Sequence, residues 1–123
     1  MPRLFVGLGA IAALIAVALG AFGAHGLDGR VSPDRLETFR TGVEYQMYHA
    51  LALLFVGWAA AQGWGPPLHW AGYCFVAGIV VFSGSLYVLV LTDTGWLGAI
   101  TPLGGVAFIV GWALLGWTAL FGG

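Results

Sequence analysis

The chain has 123 residues, 60% of them hydrophobic and 7% charged, with a net charge of −1. So much apolar surface would lack polar cover in water, which excludes an ordinary soluble domain. The missing basic face excludes nucleic acid as a partner. Positive charge rests on Arg3, Arg30, Arg35 and Arg40 with no lysine, and Cys74, the sole cysteine, can close no internal disulfide. Cys74 reads as a small buried hydrophobe.

Four apolar stretches, 4–24, about 43–62, 68–91 and 96–121, are each long enough to cross a hydrocarbon core of about 30 Å at about 1.5 Å per residue. They predict an all-α membrane protein of one domain, 1–123, with four transmembrane helices. Short connections make neighbours antiparallel, an up-down-up-down bundle. The first stretch follows Arg3 and ends in small residues, the outline of a signal peptide. Its roughly 20 residues exceed the roughly 7–15 of a signal core, so it reads as a true first helix. Ala12, Ala16, Gly20 and Ala24 form a small-residue ridge on it, along which another helix can approach closely. Gly26 is expected to end the helix as a left-handed cap.

Ser32-Pro33-Asp34 starts a new helix, with Ser at the N-cap, Pro at the first position and Asp favourable to the dipole. Leu36, Phe39 and Val43 share one face, away from Asp34, Arg35, Glu37 and Arg40. This pattern predicts a short amphipathic interfacial helix over 33–41 that bends at Gly42 into the second span. That span opens with Glu44, Tyr45, Gln46, Tyr48 and His49. Gly63-Trp64-Gly65-Pro66-Pro67 breaks it. The fourth span starts near Pro102, with Gly104 and Gly105 expected at a close helix contact. Trp58, Trp64, Trp70, Trp112 and Trp117 fall toward the Gly63–Pro67 side, where they predict an interfacial belt. Three arginines at the other end, against Arg3 alone, favour placing residues 26–42 in the cytoplasm.

Ionisable groups near lipid are costly and turn toward the bundle interior or a watery cavity. On that ground His25, Glu44, Tyr45 and His49 are expected to form one polar cluster. In its bland form the cluster is a staple between the first two helices, and in its sharp form a ligand or headgroup site. His25 and His49 are also candidate cofactor ligands, since a haem between helices wants such a pair. Metal sites usually need three or four ligands, however, and no matching spacing occurs, so neither a metal nor a cofactor is expected. No catalytic template appears and no catalytic residue is singled out. An enzyme is therefore the less favoured reading. The favoured one is a non-enzymatic role in binding or assembly, directed at membrane lipid, a hydrophobic small molecule or a membrane-protein partner, a homo-oligomer included. The alternatives are a haem- or metal-associated redox protein using His25 and His49, and a small transporter with a polar path past His49.

Four ordered motifs carry a family resemblance: Gly20-Ala21-Phe22-Gly23-Ala24-His25-Gly26, Tyr48-His49-Ala50-Leu51-Ala52-Leu53-Leu54, Phe82-Ser83-Gly84-Ser85-Leu86-Tyr87, and Thr101-Pro102-Leu103-Gly104-Gly105 with Gly111-Trp112. The chain resembles the YgdD-like family of small bacterial inner-membrane proteins of unassigned function, which has a eukaryotic transmembrane relative. The resemblance covers essentially the whole chain. It implies a multi-span protein of the bacterial inner membrane and places His25, His49, Pro102, Gly104 and Gly105 at motif positions. It implies no activity.

Overall fold

The computed structural model describes residues 2–122, which are helical apart from short turns and one isolated bridge between Asp28 and Val31. Helix α1 covers Pro2–Leu27. Helix α2 covers Pro33–Ala61, α3 covers Pro67–Thr92, and a single-turn 3₁₀ segment, Gly95–Ala99, leads into α4, Thr101–Phe121. Three segments are long and apolar enough to cross a membrane: Pro2–Leu27, Pro67–Thr92 and Gly95–Phe121. The expected fourth is not among them. Helix α2 is long, 29 residues, but Asp34, Arg35, Glu37, Arg40 and Glu44 crowd its first half and lower its apolar character.

Two further expectations need correction. The separate interfacial helix over 33–41 does not exist, because α2 runs unbroken through Gly42. Gly42 serves a close approach instead of a bend: a Cβ there would lie 2.8 Å from the Tyr87 ring of α3. Gly26 lies inside the helix, and the positive φ that reverses the chain belongs to Gly29, at 81°. Glycine takes that conformation without the Cβ penalty. The start of α2 is as the residues imply, with Arg35 N–H donating to Ser32 Oγ at 3.2 Å and Pro33 in the first turn.

Helices α1 and α2 lie antiparallel along most of their length. Gly57 faces Pro2 and Val6, Gly9 faces Ala50 and Leu53, Gly20 meets Val43, and Gly23 meets Phe39. Ala16 and Ala24 of the small ridge are buried in this seam. Helices α3 and α4 form a second antiparallel pair through Gly78 with Phe108 and Gly111 with Phe75. The main apolar core, built on Phe5, Leu53, Val56, Leu68, Phe75 and Phe108, joins the two pairs.

Both α1 and α3 contain one π-helical turn, Leu19–Gly23 and Ile79–Ser83. A π turn widens the helix by one residue and re-aims the side chains beyond it. In α3 it brings the Phe82 backbone against α4, so that a Cβ on Gly104 would sit 2.7 Å from Phe82 Cα. Gly105, by contrast, has only the Phe82 ring at 4.0 Å. Backbone cannot yield as a side-chain tip can, so Gly104→Ala should cost about 1–3 kcal/mol, the usual range for overpacking. Gly116→Ala, at a position with nothing within 4 Å, should leave stability unchanged or slightly raised. Thermal unfolding of both variants in detergent checks the contrast.

Candidate functional site

The polar interior of the bundle is organised by α2. Gln46 is buried and reaches two other helices: its Nε2 donates to the Ala12 carbonyl of α1 at 2.8 Å, and its Oε1 accepts from the Tyr87 hydroxyl of α3 at 2.6 Å. One turn above, Ser83 Oγ of α3 donates to the Gly42 carbonyl at 2.7 Å. Ser85 Oγ and Thr101 Oγ1 lie 2.6 Å apart and tie α3 to α4.

His49 makes the link from α2 to α4. Its Nδ1 lies 2.7 Å from the Tyr45 carbonyl, and Trp112 Nε1–H donates to its Nε2 at 3.0 Å. An indole nitrogen can only donate, so Nε2 must accept and Nδ1 must carry the proton. Both ring nitrogens of this neutral imidazole are therefore engaged. The ring stacks on Phe108 with centroids 3.6 Å apart and planes 10° apart, and Phe75 and Trp112 close the sides. No buried side-chain nitrogen or oxygen among the described residues lacks a hydrogen-bond partner.

Of the four residues expected to cluster, the structure brings together Tyr45 and His49, whose rings stack at 6.3 Å. His25 and Glu44 are exposed, Glu44 beside Tyr45 on α2 and His25 near the end of α1. The register explains the separation. Because α2 begins at Pro33 and not at 43, His49 lies deep in the bundle near the level of Ala12, while His25 stands beyond the Gly23–Phe39 contact. Ala12 to His25 is 13 residues of α1, about 20 Å at about 1.5 Å per residue. This register sets the two histidines at different depths of the bundle. Trp112, expected in the interfacial belt, is half-exposed, but its indole N–H turns inward and donates to His49 across the α2–α4 contact. Its place mid-way along the 96–121 stretch, away from either end, is the sequence signal for that role. Trp58, Trp70 and Trp117 are exposed.

At the other end of α2, a groove of about 400 Å³ is lined by Arg30, Val31, Ser32, Arg35, Val90, Leu91 and Asp93. Arg35 pairs with Asp93 at 3.2 Å, joining the start of α2 to the α3–α4 turn. The Asp93 side chain is 82% exposed, so this pair organises the groove more than it stabilises the fold. Arg30 is exposed at its rim.

Helices of membrane-crossing length, lipid-facing apolar surfaces and an interior of satisfied polar groups define a multi-pass protein of the cell membrane. A family model described as a protein of unknown function (DUF423) matches residues 19–105, and the chain belongs to that family. It is 54% identical over 114 residues to the UPF0382 membrane protein YwdK of Bacillus subtilis, covering 92% of this chain and 93% of that one. It is 51% identical over 113 residues to the UPF0382 membrane protein SAB0533 of Staphylococcus aureus, covering 92% of each. No solved structure matches it. A membrane family of unassigned function, as the sequence motifs imply, is what these matches establish, though YgdD is not the name they carry.

The His49–Trp112 bond gives a direct test of the polar interior. Trp112→Phe strands His49 Nε2 and should cost about 1–3 kcal/mol. The double variant His49→Phe/Trp112→Phe removes both partners and should recover part of that loss. Unfolding in detergent of the two single variants and the double one measures the coupling.

Proposed function

We propose that the chain is a four-span, non-enzymatic protein of the bacterial inner membrane that acts, without a cofactor, by binding the anionic headgroup of a membrane lipid. The groove of Arg30, Ser32 and Arg35 is the observation that carries this reading. It gathers two guanidinium groups and a hydroxyl where α1 ends and α2 begins, Arg35 held by Asp93 and Arg30 left for the headgroup, with Val90 and Leu91 as an apolar wall for the top of an acyl chain. Basic pockets between membrane helices suit such headgroups. In this reading residues 26–42 face the cytoplasm, where anionic lipid is concentrated.

The fourth span is α2. Its support is the pairing with α1: residues 39–57 of α2 lie beside Gly23 through Pro2, the length of a helix that itself crosses the membrane. The redox reading would need a ligating nitrogen on His49, and both are engaged. The transporter reading would need a polar path beside His49, which is instead enclosed by Phe75, Phe108 and Trp112.

Two measurements test this reading. Single cysteines at Asp28 and Gln62, in a Cys74→Ala background, should label from opposite sides of the membrane; labelling from one side would overturn the fourth span. In nanodiscs, anionic lipid should raise the melting temperature relative to zwitterionic lipid, since a ligand of the folded state stabilises it by mass action. Arg30→Ala should abolish that shift, and an undiminished shift would overturn the headgroup site.

A further inference from the structure

Helix α2 carries an exposed stripe of Arg40, Glu44, Tyr48, Leu51, Phe55 and Trp58. These positions recur at spacings of three and four and so share one face. Tyr48, Leu51 and Phe55 are 54%, 53% and 43% exposed. The apolar part of the stripe needs no partner in lipid. Glu44 is different. Its neighbour Val43 packs on Gly20 of α1, seven residues short of Leu27. Centring the 26-residue α1 on a hydrocarbon core of about 30 Å puts this level about 6 Å inside the boundary. Arg3 and His25 then fall near the two boundaries, as polar residues should. Among the described residues, neither Glu44 nor Arg40 belongs to an ion pair. A carboxylate facing hydrocarbon is expensive, and such groups normally find a partner.

We infer that this face pairs with the same face of a second copy, the two chains parallel about a two-fold axis along the membrane normal. This rests on the reading of α2 as a span. Charge complementarity selects the occupant. Arg40 and Glu44 are four residues, about 6 Å, apart in depth, a step that Glu44 closes by tilting toward the helix N-terminus, where Arg40 stands. A two-fold axis therefore sets Arg40 of each copy against Glu44 of the other, and an isologous interface needs such a self-complementary patch. Deeper along the stripe, Tyr48, Leu51 and Phe55 meet their counterparts. Their rings are already held within each copy, Tyr48 against Tyr45 at 5.8 Å and Phe55 against Trp58 at 5.5 Å. Little side-chain freedom is then lost on pairing.

The test is disulfide cross-linking of the full chain in native membranes, in a Cys74→Ala background. Leu51→Cys should give a homodimer, while Ile109→Cys, which is 69% exposed on α4, should not. Arg40→Glu sets acid against acid and should abolish the Leu51→Cys dimer. Adding Glu44→Arg to that variant should restore it, which a merely misfolded protein would not do. Equal cross-linking at both positions, a product containing a different protein, or failure of the paired swap to restore the dimer overturns the second copy. If residues 28 and 62 still label from opposite sides in that case, the four-span reading stands and only the pairing falls. Labelling from one side removes both.

Discussion

The bundle depends on hydrogen bonds that α2 makes to the other three helices through its polar groups. Gln46 joins it to α1 and α3, Gly42 receives Ser83 from α3, and His49 receives Trp112 from α4. Between apolar helices in lipid there is no hydrophobic exclusion to drive contact, so close packing and interhelical hydrogen bonds must fix the arrangement. Apolar packing alone would tolerate several rotations of α2. A glutamine that must meet a carbonyl on one side and a hydroxyl on the other permits one.

This arrangement also explains why the least apolar helix carries much of the core. Ten residues of α2 are buried, from Phe39 to Ala59, whereas α1 and α4 turn broad apolar faces outward. Mean hydropathy counts buried and exposed residues alike, and the charged residues of α2 before Tyr48 lower it whatever the rest of the helix buries. Gln46 and His49 stay because neighbouring helices satisfy them, and the glycines and alanines of the seams let those neighbours come close enough to do so.

The helices themselves were legible in the sequence. Ser32-Pro33, the Gly63–Pro67 breaker and the apolar runs mark their ends by local chemistry, which needs no knowledge of the fold. The register of α2 was not legible. Gly42 sits between a charged segment and an apolar one and so resembles a hinge, and nothing local shows that the Tyr87 ring occupies the space beside it. Starting the span at 43 instead of 33 raises His49 to the surface and gathers it with His25 and Glu44. The true partners of His49 lie far along the chain, as does Tyr87 from Gln46, and such pairings follow only from three-dimensional packing. The groove at Arg30 combines residues from two loops and was equally hidden, although its arginines stand out in the composition.

The polar seam bears on how the protein is made. On the four-span reading, a helix that starts with Asp34, Arg35, Glu37, Arg40 and Glu44 is a poor substrate for insertion by itself. When α2 emerges from the ribosome, α1 is already available, and the Ala12 carbonyl can take Gln46 at once. Tyr87 and Trp112 are synthesised later, so Gln46 Oε1 and His49 Nε2 must wait for them. Biogenesis would then proceed by hairpins: α1 escorts α2, and the second pair closes the seam from the other side. Translation interrupted before α3 would leave an α1–α2 hairpin with two open hydrogen-bonding groups at membrane depth, a form that membrane quality-control proteases are suited to recognise.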